Sequence, residues 1–106
     1  MKKETFYTIE YWENRHYKFK NNLKNVGNIG LTSEQNNELI SVKAAIIVYE
    51  LGLLGVSPKS SLLDAGSGAG YFTNFIAEAG FDIKGVDCSR TGVRTAIENY
   101  GEKFVC

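Results

Sequence analysis

The sequence has little of what usually announces a special chemistry or a special location. It holds two cysteines, Cys88 and Cys106, one proline, Pro58, and one histidine, His16. Two cysteines without metal-ligand spacing exclude a zinc module and a disulfide scaffold. The expectation is two reduced thiols in a cytoplasmic protein and no metal site. No apolar run approaches the roughly 20 residues needed to cross a bilayer. The N-terminal MKKETFYTIEYWENRHYK carries charges where a signal peptide needs an apolar stretch, so no membrane partner is expected. Net charge is also lacking. Twelve basic and twelve acidic side chains cancel, which leaves no field of one sign to attract nucleic acid. The local group Arg15, His16, Lys18, Lys20 and Lys24 is diluted by Glu10, Glu13 and several asparagines, and it reads as a solvated helix face.

What is present is enough for one modest domain. Of the 106 residues, 43% are hydrophobic and 12% aromatic, sufficient for a packed core. Residues 1–31 form a polar and aromatic extension, a candidate lid, and residues 32–106 begin a Rossmann-like unit. Within the extension, residues 9–19 suit a helix with Trp12 and His16 on one face. The stretch 21–30, NNLKNVGNIG, has the composition of a loop. Thr32 with Gln35 fits a capping box. The helix that follows presents Leu39, Val42, Ile46, Ile47, Tyr49 and Leu53 at helical intervals, a stripe expected to be buried. Gly52, Gly55 and Pro58 end it.

After Lys59 the period changes. Ser61-Leu62-Leu63-Asp64-Ala65 is a short run suited to a buried parallel strand. A helix over 70–79 carries Phe72, Phe75, Ile76 and Ala79 on one face, and Gly80 stops it. Residues 81–87 alternate as a second strand. Ser89 can cap a helix through Val93, Ala96, Ile97 and Tyr100, ended by Gly101, and residues 103–106 begin a third strand. This order is that of an α/β fold, a doubly wound parallel sheet with right-handed crossovers.

The turn Asp64-Ala65-Gly66-Ser67-Gly68-Ala69-Gly70-Tyr71 joins the first strand to a helix N-terminus. Glycine permits the tight turn and the close approach of a ligand, and the free N–H groups favour an anionic group such as a carboxylate. The dinucleotide fingerprint needs glycine at its first, third and sixth positions. Counted from Gly66, the sixth is Tyr71. Asp64 adds negative charge beside the turn, which works against a pyrophosphate and in favour of an ammonium group. Asp87, about twenty residues on, falls at the end of the second strand, where a carboxylate accepts from both ribose hydroxyls. Cys88 and Ser89 would then lie near an adenine edge. Capping roles for Asp64 and Asp87 are the structural alternatives.

LLDAGSGAGYF followed by IKGVDCSRTGV resembles the glycine-rich motif and the following acidic motif of class I S-adenosylmethionine-dependent methyltransferases. The likeness spans about residues 60–100. The upstream WENRHYK, the Gly27–Gly30 loop and the SEQNNELI helix also look like the extension of some small-molecule enzymes of that class. The resemblance implies a seven-stranded sheet, S-adenosyl-L-methionine as cofactor and a small-molecule methyl acceptor. It implies that Gly66, Ser67, Gly68 and Gly70 line the methionine part, with Ala65 and Tyr71 at the ends of the same turn. Asp64 would sit under the ammonium side and Asp87 would hold the ribose. Trp12 and Tyr17 are either lid aromatics over the cofactor or core aromatics. The chain supplies two strands and the start of a third of that sheet. An N-terminal portion of a longer enzyme, or a homo-oligomer formed through the exposed first-strand edge, is therefore expected. No catalytic residue is assigned, and a catalytic role for His16 is set well behind a packing one. A nicotinamide-dependent oxidoreductase and a non-catalytic S-adenosylmethionine-binding domain are the alternatives.

Overall fold

Seven elements follow one another in the computed structural model, which describes residues 2–19 and 29–106. They are α1 (Lys2–Phe19), α2 (Ser33–Leu53), β1 (Ser61–Ala65), α3 (Tyr71–Glu78), β2 (Asp82–Val86), α4 (Arg90–Tyr100) and β3 (Phe104–Val105). The loop expected over 21–30 lies outside the described residues except for Ile29 and Gly30, which form a turn. The expected elements are otherwise present, with ends shifted by a residue or two and α1 beginning earlier than Ile9.

The capping box is formed as the sequence suggests. Gln35 N donates to Thr32 Oγ1 at 3.1 Å, and Thr32 N donates to Gln35 Oε1 at 3.0 Å. Two of the helix's orphan donors are thereby satisfied. The buried stripe of α2 differs from expectation. Leu39, Val42, Ile46, Ile47, Tyr49 and Leu53 are all exposed, while Asn36 and Ala44 are buried and Val48 packs against the core. Residues 36, 40, 44 and 48 lie at intervals of four on a second stripe. This helix is apolar on more than one side, and the smaller side chains of that second stripe, Ala44 above all, let α2 approach α3 closely.

The strands form one parallel sheet in the order β1-β2-β3. Leu62 pairs with Ile83, Asp64 with Gly85, and Gly85 with Phe104, so these residues share one face. Both crossovers run in the same direction across the sheet, and right-handedness puts α3 and α4 on that same face. Ile76 of α3 packs there with Ala44, Ile83 and Leu62, and Val93 and Ala96 of α4 pack with Phe104. The opposite face carries Leu63, 68% exposed, and Val105, 58% exposed. β1 is thus not the buried strand its apolar run suggests. It is an edge strand, bare on one face, because among the described residues it pairs only with β2. α1 packs along α4.

Glycine is required at two close approaches. A Cβ on Gly70 (φ +87°) would lie 2.7 Å from Phe104 Cζ, and one on Gly85 would lie 2.6 Å from both Ser67 Oγ and Phe104 Cδ1. At Gly66 (φ +80°) the same atom would meet nothing within 4 Å. Gly70→Ala should therefore combine backbone strain with overpacking and cost about 2–4 kcal/mol. Gly66→Ala should cost only the strain, about 1–2 kcal/mol. Urea denaturation of the two variants beside the parent checks the order; equal losses would contradict it.

Candidate functional site

The turn after β1 is held from beneath by β2. Gly66 N and Ser67 N both donate to the carbonyl of Val86, at 2.8 and 3.0 Å, and Gly70 N closes the turn on Ser67 O at 3.0 Å. Gly66, Gly68 and Gly70 all have positive φ, a conformation that costs any other residue. The turn can sit so low because Gly85 has no side chain under Ser67.

Asp87 ties this turn to α4. Its Oδ2 accepts from Gly68 N at 2.8 Å and its Oδ1 from Ser89 N at 2.8 Å. The capping role belongs to Ser89, whose Oγ accepts from Gly92 N at 3.0 Å. Each Asp87 oxygen accepts one of these bonds and has further acceptor capacity.

A second carboxylate arrives from far along the chain. Glu13 of α1 accepts from Thr91 N and Arg90 N at 2.9 Å each, and from Ser89 Oγ at 3.2 Å. It occupies the N-terminus of α4, where the helix dipole favours negative charge. The N-cap of α3, Gly70, supplies no side-chain hydrogen bond. One helix N-terminus at the site is therefore closed by protein and the other lacks a side-chain cap.

Docking of α1 roofs a cavity of about 370 Å³ bordered by Thr8, Trp12, His16, Gly66, Gly68, Asp87 and Cys88. Thr8, Trp12 and His16 recur every four residues, one stripe of the helix. Arg15 stacks over the Trp12 ring at 5.0 Å. His16 is 2% exposed and its Nδ1 has no hydrogen-bond partner among the described residues. Its ring rests on Gly92, where a Cβ would lie 3.0 Å from Nε2.

Of the residues singled out in the sequence, Gly66, Gly68, Asp87 and Cys88 border this cavity. Ser67 is buried over Gly85, and Ser89 is buried as the α4 cap. Gly70 serves packing. Tyr71 meets Tyr100 edge to face, with ring centres 6.3 Å apart. Ala65 ends β1, exposed. Asp64 shares the helix-covered face of the sheet and accepts from Thr73 Oγ1 at 2.6 Å. Trp12 borders the cavity, whereas Tyr17 is 67% exposed on another side of α1. Glu13 was missed, because its partners lie 76–78 residues away. Gly85 was missed too, although a glycine inside a strand is a signal of close backbone approach.

The electrostatics follow from these contacts. Burial alone would raise the pKa of Glu13, but the bonds from Thr91, Ser89 and Arg90 outweigh it and hold the carboxyl below its usual range. Burial pushes His16 down, against the attraction of Asp87 and Glu13. Burial and the Asp87 carboxylate raise the Cys88 thiol, which disfavours the reactive thiolate. Among the described residues no cluster suited to a metal ion occurs and no helix is long and apolar enough to cross a membrane. Comparison of the sequence with protein-family models and with curated proteins gives no match.

Both shifted groups on α1 have folded-state pKa values below their unfolded ones. The unfolded chain takes up these protons first, so their contribution is present at high pH and lost on acidification. His16 acts below about pH 6.5 and Glu13 below about 4.5. Trp12 is the only tryptophan and reports α1 docking. Its emission should shift to the red between pH 8 and pH 4. Glu13→Ala should show the shifted spectrum already at pH 8, since a lost helix cap costs about 1 kcal/mol. A spectrum independent of both pH and this substitution would contradict the docking role.

Proposed function

We propose that this chain is the S-adenosylmethionine-binding portion of a methyltransferase that acts on a small molecule. The observation that carries the reading is Asp87, oriented by Gly68 N–H and Ser89 N–H at a cavity of about 370 Å³. That volume falls within the usual range for small-ligand sites. A carboxylate fixed in this way suits a ribose diol, whose hydroxyls both donate to it. The N-terminus of α3, without a side-chain cap, suits the carboxylate of an amino-acid moiety. The motif resemblance over residues 60–100 supports the same cofactor. In the dinucleotide fingerprint the packing glycine is the sixth residue; here the fifth, Gly70, does that work against Phe104, and the sixth is Tyr71. This spacing argues against the nicotinamide alternative.

When bound, the cofactor would supply a methyl group already activated by its sulfonium. The chain's residues would bind and orient: Asp87 at the ribose, Gly66 and Gly68 along the turn, and Trp12 and His16 excluding water from above. Holding the methyl carbon in line with an acceptor supplies much of the acceleration for such a displacement. An acceptor carrying a proton loses it to solvent or to a base outside the assigned residues.

The bare edge of β1 belongs to the same reading. Leu63 and the exposed α2 stripe form an apolar flank of the kind that invites association, with a further strand or a second copy as occupant. Sedimentation of the chain should show concentration-dependent self-association that Leu63→Lys weakens; a monomer at every concentration contradicts the second copy.

Calorimetry with S-adenosylhomocysteine and with NADH tests the cofactor. The first should bind and the second should not. Asp87→Ala should weaken binding about 10–100-fold, the worth of hydrogen bonds to a charged group. Binding of NADH alone would overturn the proposal.

A further inference from the structure

The chain's two cysteines are 18 residues apart in sequence, and the parallel sheet brings them together at one end. Val86 and Val105 are paired partners on β2 and β3, and just past them Asp87 N donates to Val105 O at 3.1 Å. Cys106 therefore lies one strand spacing, roughly 4.8 Å, from the segment that carries Asp87 and Cys88. Its Sγ reaches across to the carbonyl of Cys88 at 3.8 Å. Both thiols are free and both residues are exposed. The Cys88 thiol is within hydrogen-bonding reach of the Asp87 carboxylate, and Cys106 is close enough for its charge to act on it. A disulfide needs Cα atoms about 4.4–6.8 Å apart, a range that neighbouring strands provide.

From this arrangement we infer that Cys88 and Cys106 are a redox pair: a peroxide converts them reversibly into a disulfide that clamps the end of β3 to the β2–α4 connection beside Asp87. The Asp87 carboxylate disfavours a thiolate at Cys88, so Cys106 is the sulfur that attacks first. Its thiolate takes one peroxide oxygen and becomes a sulfenic acid as the O–O bond breaks. The hydroxide that leaves takes up the Cys106 thiol proton and becomes water. The Cys88 sulfur then attacks the sulfenic sulfur. The S–S bond forms, the S–O bond breaks, and the oxygen departs as a second water with the Cys88 proton. Two thiols and one peroxide thus give one disulfide and two waters, and a small dithiol reverses the bond by exchange. Asp87 is bonded to Cys88 and hydrogen-bonded to Val105, so the clamp fixes the backbone that presents its carboxylate to the cavity.

The test treats the dilute reduced chain with hydrogen peroxide, blocks surviving thiols by alkylation and measures intact mass. Both free thiols should disappear together in a monomer that has lost two hydrogens, and dithiothreitol should restore them. Cys88→Ser should stop at a sulfenic acid on Cys106, trapped by dimedone. Cys106→Ser should leave a thiol that reacts several-fold more slowly. The oxidised parent should unfold at a higher urea concentration than the reduced one, since the cross-link constrains the unfolded chain. Cross-links between chains only, one thiol surviving in the parent, or a disulfide that lowers the urea midpoint overturns the inference. None of these readouts involves S-adenosylhomocysteine, so the cofactor reading stands or falls separately.

Discussion

Asp87 sits where three parts of the fold meet, and its two 2.8 Å hydrogen bonds connect them. One oxygen fixes Gly68 in the turn after β1. The other fixes Ser89, the cap from which α4 starts. The side chain itself leaves the end of β2. Turn, sheet and second crossover helix therefore share one carboxylate, and that carboxylate borders the cavity. Removing it would loosen the glycine turn at Gly68, where no side chain could substitute an anchor. The packing around it is consistent with this role. Gly85 lets Ser67 sink onto β2, and Gly70 lets Phe104 and Ala96 close under the start of α3.

The element order, the Thr32–Gln35 box and the Ser89 cap were legible in the sequence because each is a local signal. Periodicity and capping act over four residues or fewer and need no knowledge of neighbours. The buried side of α2 was not legible for the opposite reason. Its sequence offers two stripes, and tertiary packing chose Asn36, Ala44 and Val48 over the larger side chains. Asp64 is an intermediate case. Alternation from the inward Leu62 puts it on the helix-covered face, and its bond to Thr73 follows from that parity.

At the site, the four bordering residues Gly66, Gly68, Asp87 and Cys88 all come from the motif region. The other three, Thr8, Trp12 and His16, come from α1. Composition had assigned that helix to a polar extension, with Glu13 merely diluting a basic cluster. A single glutamate reveals nothing about partners 76–78 residues away. What decides its role is the coincidence of helix dipole, two free N–H groups and a serine hydroxyl at the start of α4, which only the folded chain assembles.

On the proposed cofactor reading, that placement gives α1 a share in ligand selectivity. The N–H groups of Gly66, Ser67, Gly68 and Gly70 are spent on protein oxygens, so on that reading the turn offers close backbone approach beside the Asp87 carboxylate, a chemistry that many nucleoside-containing ligands could satisfy. Glu13 fills the anion-binding position of α4, so an anionic group there would meet negative charge instead of free N–H groups. Trp12 adds an aromatic surface whose one face already carries Arg15, and His16 adds the only buried imidazole. On the proposed cofactor reading the motif would set the class of ligand, while the roof helix, held down by a carboxylate at the far end of a long sequence separation, would set which member of that class fits.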